Sequence, residues 1–283
     1  MPNLLSSFSW SDAPTTAYPV DLADNQRWST WDSIERLCRG PEPWPDWLVT
    51  AAAAVDTDLG LLKSGKEADV SLLERAVPDD PSRSVVMAAK RYRSTDRRLF
   101  HRDTGYTEGR RIRNSRDTRA VARKSSYGRT VEAGLWARAE WNALVTLRTA
   151  GVPVPYPVQI DGTEILMEFI SDGDAAAPRL HQTRPSTAQL EQLFEQLREA
   201  MQTMARLGLV HGDLSPYNTL VSGIDDEPRL VIIDVPQLVD LASNPYAFDF
   251  LHRDCTTMAA WFSRAGLAVD GDDLLGEVLA HAW

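Results

Sequence analysis

The feature that most constrains this chain is a pair of short strings close together. The first is Leu209-Val210-His211-Gly212-Asp213-Leu214-Ser215-Pro216-Tyr217-Asn218; the second is the apolar run Val231-Ile232-Ile233 ending on Asp234. Asp, Ser, Pro and Asn are turn formers, so the first string leaves regular secondary structure, and by itself it can be a turn and nothing more. A carboxylate at the end of a buried apolar strand is costly unless it is paired or bound to a metal. A strand-end aspartate capping a turn is the plain alternative for Asp234 alone. Taken together the residues suit phosphoryl transfer: Asp213 can accept a hydrogen bond from an attacking hydroxyl, Asn218 can offer an amide oxygen to magnesium, and Asp234 can supply the carboxylate that magnesium requires.

The rest of the chain sets an order of elements around these strings. Residues 1–45 are polar and contain proline, with Trp10, Trp28, Trp31 and Trp44, and read as an extension that docks by its tryptophans or hangs as a tail. A short helix can start within Ser33 to Leu37, and Asp46 to Val55 has helical spacing and many alanines. Leu59 to Ala76 reads as strand, glycine turn, strand, and Ser84 to Arg93 as a third strand. Ser94 to Thr130 has no apolar periodicity and reads as a flexible loop. Leu135, Ala139, Leu144 and Leu147 then recur at helical spacing, and Pro153, Pro155 and Pro157 force extended backbone. Glu164 to Ile170 is a strand, Ser186 to Leu207 an amphipathic helix with Gly208 as its stop, Leu230 to Val235 a buried strand, and the remainder through Trp261 helical. Trp136, Trp141, Trp261 and Trp283 read as packing residues. This order predicts an α+β, bilobal, protein-kinase-like fold: a β-rich N-lobe with one main helix and hinge over 46–170, and a shortened, mainly helical C-lobe over 171–283.

Two further pieces carry chemistry. Lys90 ends the alternating run Val85-Val86-Met87-Ala88-Ala89, where a kinase places the lysine that grips α- and β-phosphates, and Glu140 on the following helix is its natural partner. The string Lys63-Ser64-Gly65-Lys66-Glu67-Ala68 lies between two strands, with one glycine where phosphates can approach backbone N–H groups; a simple hairpin turn is the alternative. His252-Arg253-Asp254 imitates a kinase H-R-D, but it follows the metal strand and has no Asn five residues on, so it reads as a structural helix segment.

Ser64-Gly65-Lys66-Glu67-Ala68, His211 to Asn218 and Ile232-Ile233-Asp234-Val235-Pro236-Gln237 together resemble the RIO family of atypical protein kinases, as do Asp174 to Leu180 and Phe250 to Phe262. The resemblance covers roughly residues 59 to 265. It implies a bilobal kinase fold without the usual activation loop, consistent with the absence of DFG and APE and with the ~50 residues that follow Asp234. It implies ATP and Mg2+ as cofactors, Asp213 as catalytic base, and Asn218 and Asp234 as magnesium ligands, with Asp234 also able to carry a phosphoryl group. Lys90 would contact ATP phosphates, held by Glu140. Ser64 and Lys66 would belong to the phosphate loop, and Glu168 and Ile170 would offer backbone groups to adenine. Departures cluster at the acceptor side: Gly212 gives an H-G-D typical of aminoglycoside-type phosphotransferases, Pro236 replaces a common serine, and Ser215 stands where ordinary protein kinases carry lysine, so γ-phosphate charge has to be met elsewhere.

Charge bears on partners. The chain has a net charge of −10, yet Lys90 to Arg129 holds 14 Lys or Arg against four acids, a local +10 on an acidic body. Such an island fits contact with RNA or a ribosome, or a solvated loop drawn to the acidic remainder. Only two cysteines and no CxxC argue against a zinc site or a disulfide framework. No apolar run has membrane-spanning length and the N-terminus lacks a basic n-region, so a cytoplasmic protein is expected. The functions this leaves are a serine/threonine protein kinase able to phosphorylate itself, with Ser115, Ser125 and Ser126 as candidate sites; an ATPase-like switch on RNA or a ribosome; and a small-molecule phosphotransferase. The last is disfavoured because the C-terminal half lacks length for a helical substrate-binding subdomain.

Overall fold

The structure is a computed structural model that describes residues 21–93, 126–173, 175–236 and 238–282. Trp10, Asp174, Gln237, Trp283, Ser115, Ser125 and all of 94–125 lie outside the described residues.

Strands β1 (Gln26–Trp28), β2 (Val55–Ser64), β3 (Ala68–Val77) and β4 (Asp80–Tyr92) lead to helix α1 (Ser126–Thr149), and β5 (Pro157–Asp161) and β6 (Glu164–Glu168) complete the first half. The six strands form one antiparallel sheet in the order β1-β2-β3-β4-β6-β5. Alternation along β4 explains its two roles. Met87 and Ala89 face the cluster of Trp31, Leu48, Leu73, Tyr156, Val158 and Leu166. Ala88, Lys90 and Tyr92 face the opposite way, towards α1 and the interlobe cleft.

The C-terminal half follows β7 (Ser171–Asp172) and β8 (Ala175–Ala176), a small hairpin. Helix α2 (Thr187–Arg206) starts on Ser186, which forms a capping box with Gln189, and stops at Gly208, φ +70°. Then come β9 (Leu209–Val210), β10 (Thr219–Ser222), β11 (Arg229–Ile232), β12 (Val239–Asp240), α3 (Ala247–Ala265) and α4 (Gly271–Leu279). One continuous core runs from the inner face of the sheet through α1 into α2, α3 and α4. Among the described residues no helix is long and apolar enough to cross a membrane.

Several local expectations are corrected. Asp46 to Val55 is not helical: Ser29 N–H donates to the Ala54 carbonyl at 2.9 Å, and β2 begins at Val55. Ten alanine-rich residues are too few for a stable isolated helix, and the run is instead turns and irregular chain up to Val55. Helix α1 begins at Ser126, inside the stretch expected to be loop through Thr130. Its buried face is Ala133, Ala137, Glu140, Trp141, Leu144 and Leu147, while Leu135 is turned out to solvent. The strand expected to reach Ile170 ends at Glu168, and the short helix near Ser33 is a 3-10 turn at Arg36–Cys38. Within the stretch read as an extension, Gln26–Trp28 is the edge strand of the sheet and Trp31 is fully buried, packed edge-on against Trp44.

A buried polar network ties that N-terminal segment down. Arg75, with no exposed surface, donates two hydrogen bonds to Asp56 at 2.6 and 2.9 Å and one to Gln159 at 3.0 Å; Gln159 in turn donates to Thr30 at 2.8 Å. A guanidinium buried this deeply is tolerated only because its fork matches the Asp56 carboxylate.

Candidate functional site

The two halves enclose a cleft of about 1430 Å³. Its walls bring together Lys66, Lys90, Glu140, Glu168, Ile170, Asp213, Asn218 and Asp234, which come from six separate stretches of chain. Ser64 is at the rim instead: its hydroxyl accepts a hydrogen bond from Arg93, which also clamps Asp69. The hairpin turn beside it depends on Gly65, whose N–H meets the Ala68 carbonyl at 2.9 Å and where an added Cβ would sit 2.9 Å from that oxygen.

Lys90 is the hub. Its ammonium donates to Glu140 Oε1 at 2.6 Å and to Asp234 Oδ1 at 3.1 Å. Burial works to lower its pKa, but the Glu140 and Asp234 carboxylates outweigh burial and hold it above the usual lysine value. Tyr92, two residues on and on the same strand face, donates its hydroxyl to the other Glu140 oxygen at 2.6 Å. Burial and the Glu140 charge raise that phenol, so it stays a donor. Glu140 therefore has both oxygens occupied, and α1 is fixed relative to the sheet at this point. Asp234 has the opposite balance: desolvation works to raise it, and the Lys90 charge overcomes this and keeps it below the ordinary carboxylate range. Its backbone has φ +65°, a left-handed conformation that a non-glycine residue adopts only when its surroundings impose it.

The catalytic-loop string is held by buried groups. His211 is buried, and its Nδ1 accepts from the Asp213 N–H at 3.3 Å while Nε2 lies 3.2 Å from the Ile233 carbonyl. One neutral tautomer, protonated at Nε2, satisfies both contacts. The ring thereby joins the loop to the residue before Asp234. Burial lowers its pKa, so folding keeps it neutral. The unfolded chain takes up that proton below the ordinary histidine value, and stability is lost as pH falls from about 6.5. Urea unfolding at pH 7 and pH 5.5 will show a smaller loss in His211→Gln than in wild type.

Asp254 on α3 is the second clamp. It is buried, and its two oxygens accept from Gly212 N–H at 2.8 Å and Leu214 N–H at 3.0 Å, on either side of Asp213. Burial pushes its pKa up to about 7, against the pull of those two N–H groups. Its neighbour Arg253 donates to the Gly212 carbonyl. The His252-Arg253-Asp254 segment is thus structural, as its position suggested, and its structural task is to hold the loop.

Asp213 is left exposed towards the cleft. The Asn218 amide nitrogen donates to the Asp213 carbonyl at 2.9 Å and lies 3.3 Å from its carboxylate, which turns the amide oxygen the other way. The Asp234 carboxylate and the Asn218 amide oxygen are hard oxygen donors, of the kind that suits magnesium rather than a soft metal. Apolar side chains of Val70, Ala88, Met167, Ile170, Leu220 and Ile233 line the deeper part of the cleft. The Ile170 carbonyl accepts from Ala177 N–H at 2.9 Å. The Glu168 side chain accepts from Tyr156 N–H at 3.0 Å and from Arg229 at 3.4 Å, fastening β6 to β11.

The sequence does not mark Tyr92 as a site residue; it marks Lys63 and Arg179 only as members of longer strings, and Arg253 and Asp254 only as a structural helix segment. Strand alternation from Lys90 points to Tyr92. Nothing in local periodicity marks Asp254, because its partners lie 40 and 42 residues away.

A two-lobed body with a lysine–glutamate pair, a His-x-Asp loop and a strand-end aspartate around one cleft is a protein-kinase-like architecture. A family model for the RIO domain matches residues 83–274. The RIO-type serine/threonine-protein kinase Rio1 of Haloferax volcanii is 36% identical over 220 residues, spanning 78% of this chain and 68% of that protein. Rio1 of Thermoplasma acidophilum is 30% identical over 140 residues, covering 50% of this chain and 70% of that protein. The human serine/threonine-protein kinase RIO1 is 35% identical over 135 residues, but only 23% of its length is spanned. The crystal structure of the Rio2 kinase–ADP/Mg2+–phosphoaspartate complex from Chaetomium thermophilum has the same fold, with a TM-score of 0.52 at 21% identity over 78% of this chain and 61% of that one. The chain belongs to the RIO domain family.

Proposed function

We propose that this chain is an ATP- and magnesium-dependent serine/threonine protein kinase of RIO type. The observation that carries this reading is the single cleft in which Lys90, Glu140, Asp213, Asn218 and Asp234 converge with the geometry above. Asp213 accepts the proton of the protein hydroxyl and orients it for in-line attack. Lys90 steadies α- and β-phosphates, and Glu140 with Tyr92 steadies Lys90. Asn218 and Asp234 hold magnesium, whose charge supports the phosphates when bound. The backbone of Glu168 and Ile170 faces adenine above the apolar floor, and Ser64 and Lys66 belong to the loop over the phosphates.

Asp234 supports a second outcome at the same site. It is half-exposed, kept ionised by Lys90 and left-handed at a strand end, so its carboxylate is presented as a nucleophile that can take the phosphoryl group before water does. The protein substrate is unidentified. The +10 stretch of 90–129 supports an anionic partner such as RNA.

The test is transfer of label from [γ-32P]ATP with Mg2+ by wild type and Asp234→Ala. Acid-stable label on serine or threonine of a protein is the expected result, lost in Asp234→Ala. Release of phosphate to water through an acid-labile adduct, with no acid-stable product, would establish the aspartyl-phosphate ATPase in its place.

A further inference from the structure

With Ser215 in the position of a catalytic-loop lysine, a cation for the transferred phosphate has to come from elsewhere in the cleft. Among the described residues five basic ones line it: Lys63, Lys66, Lys90, Arg179 and Arg253. Lys90 is bound to Glu140 and Asp234, and Arg253 to the Gly212 carbonyl and the Phe250 ring, 5.1 Å away. Lys63 and Arg179 face the cleft from opposite walls. Lys63 stands near the end of β2 in the N-lobe, beside the glycine turn. Arg179 follows the hinge, bridges by its backbone to Leu220, and is anchored by its guanidinium to the carbonyl of Tyr217, the residue before Asn218.

Neither side chain has an ion pair with a carboxylate among the described residues. They are nevertheless within electrostatic reach of each other: partial burial and then the Arg179 charge lower the Lys63 ammonium, while Asp234 pulls it the other way and Lys90 adds to the lowering. Lys63, Arg179 and Lys90 thus line one cleft, with Lys90 bound to Asp234. Like charges gathered in a cleft repel one another, and an anion lying between them removes the cost. The anion that fits is elongated and multiply charged, since Lys63 comes from the end of β2 and Arg179 from the segment after the hinge.

Resting on the reading of this cleft as a nucleotide site, we propose that Lys63 and Arg179 close from the two walls on the phosphate chain of the bound nucleotide and supply the charge that Ser215 does not. Lys63 arrives with the β2–β3 hairpin and Arg179 waits on the wall next to Asn218, so the pair also reports on the fit between the lobes.

The experiment is calorimetric titration of the full chain with ATP, ADP and adenosine in the presence of Mg2+, on wild type, Lys63→Ala, Arg179→Ala and Lys63→Arg. Each alanine variant is expected to lose about tenfold in ATP affinity, the size of one charge-assisted hydrogen bond, with adenosine affinity unchanged and Lys63→Arg close to wild type. Circular dichroism establishes that the variants are folded. ATP affinity equal to wild type in both folded alanine variants would overturn the clamp while leaving the nucleotide site intact, as would a loss confined to the KM for an acidic acceptor protein. Equal loss for adenosine would overturn it too, by showing collapse of the pocket. A wild type that bound no nucleotide would overturn the site itself.

Discussion

Asp213→Asn will lower phosphoryl transfer by about 10²- to 10⁴-fold, the ordinary contribution of a positioned general base, with ATP affinity and thermal stability close to wild type. The separation of these effects follows from where the side chain sits. Asp213 is exposed to the cleft, and among the described residues its carboxylate has a hydrogen bond from the Asn218 amide alone, at 3.3 Å. The loop around it is fixed by other groups, namely His211, Asp254 and Arg253, so removing the carboxylate's charge leaves the loop in place. On the proposed reading the nucleotide is gripped elsewhere, at Lys90 and along the apolar part of the cleft. What the variant loses is the acceptor for the hydroxyl proton. The measurement is the rate of label transfer beside the ATP dissociation constant. A rate within a few-fold of wild type would remove Asp213 from the role of base.

Asp254→Ala is the variant with the largest expected effect on stability. Its two oxygens satisfy two buried backbone N–H groups, Gly212 and Leu214. Each N–H left unpaired inside the protein costs about 1–3 kcal/mol, so the expected loss is about 4 kcal/mol, or roughly 10 °C in Tm for a chain of this size. Activity falls as well, because those N–H groups flank Asp213. Asp254→Asn is expected to recover only part of the loss: an amide offers one acceptor, and its NH2 is turned towards a donor. Urea unfolding and label transfer on the same preparations check both effects. Wild-type stability in Asp254→Ala would mean that the loop is held chiefly by His211 and Arg253.

These two aspartates differ in how they can be read. Asp213 lies in a string whose spacing to His211 and Asn218 states its chemistry, so local sequence suffices. Asp254 lies on α3, after the metal strand, in a segment whose periodicity identifies only a helix. Its partners come from a loop about 40 residues earlier, and only packing of α3 beneath the loop brings them together.

The same division runs through the molecule. Strand, turn, strand over β2 and β3, the strand carrying Lys90, the capped helix α2 and the buried strand leading to Asp234 are all legible, because each follows from period, cap or turn chemistry within its own residues. The family resemblance follows from three strings that keep their spacing. The alanine-rich run before β2 is not legible, because helix propensity is worth little in a short segment; it turns at Ala51–Ala54 and joins the sheet only at Val55. The buried face of α1 was misplaced at Leu135 because the helix packs against a sheet on one side and contributes Glu140 to the cleft, so one position of that face is a charge.

By itself, then, the sequence determined which chemical groups this protein has available: Lys90 and Glu140, Asp213, Asn218 and Asp234, in the order a two-lobed kinase requires. Tertiary structure decided the rest. It made Tyr92 the second support of Glu140, turned Asp234 left-handed against Lys90, seated Trp31 under the sheet, and set Lys63 opposite Arg179. The physical reason is that spacing along a chain reports contacts a few residues apart, whereas a buried hydrogen bond or a cleft between lobes depends on which distant surfaces pack together.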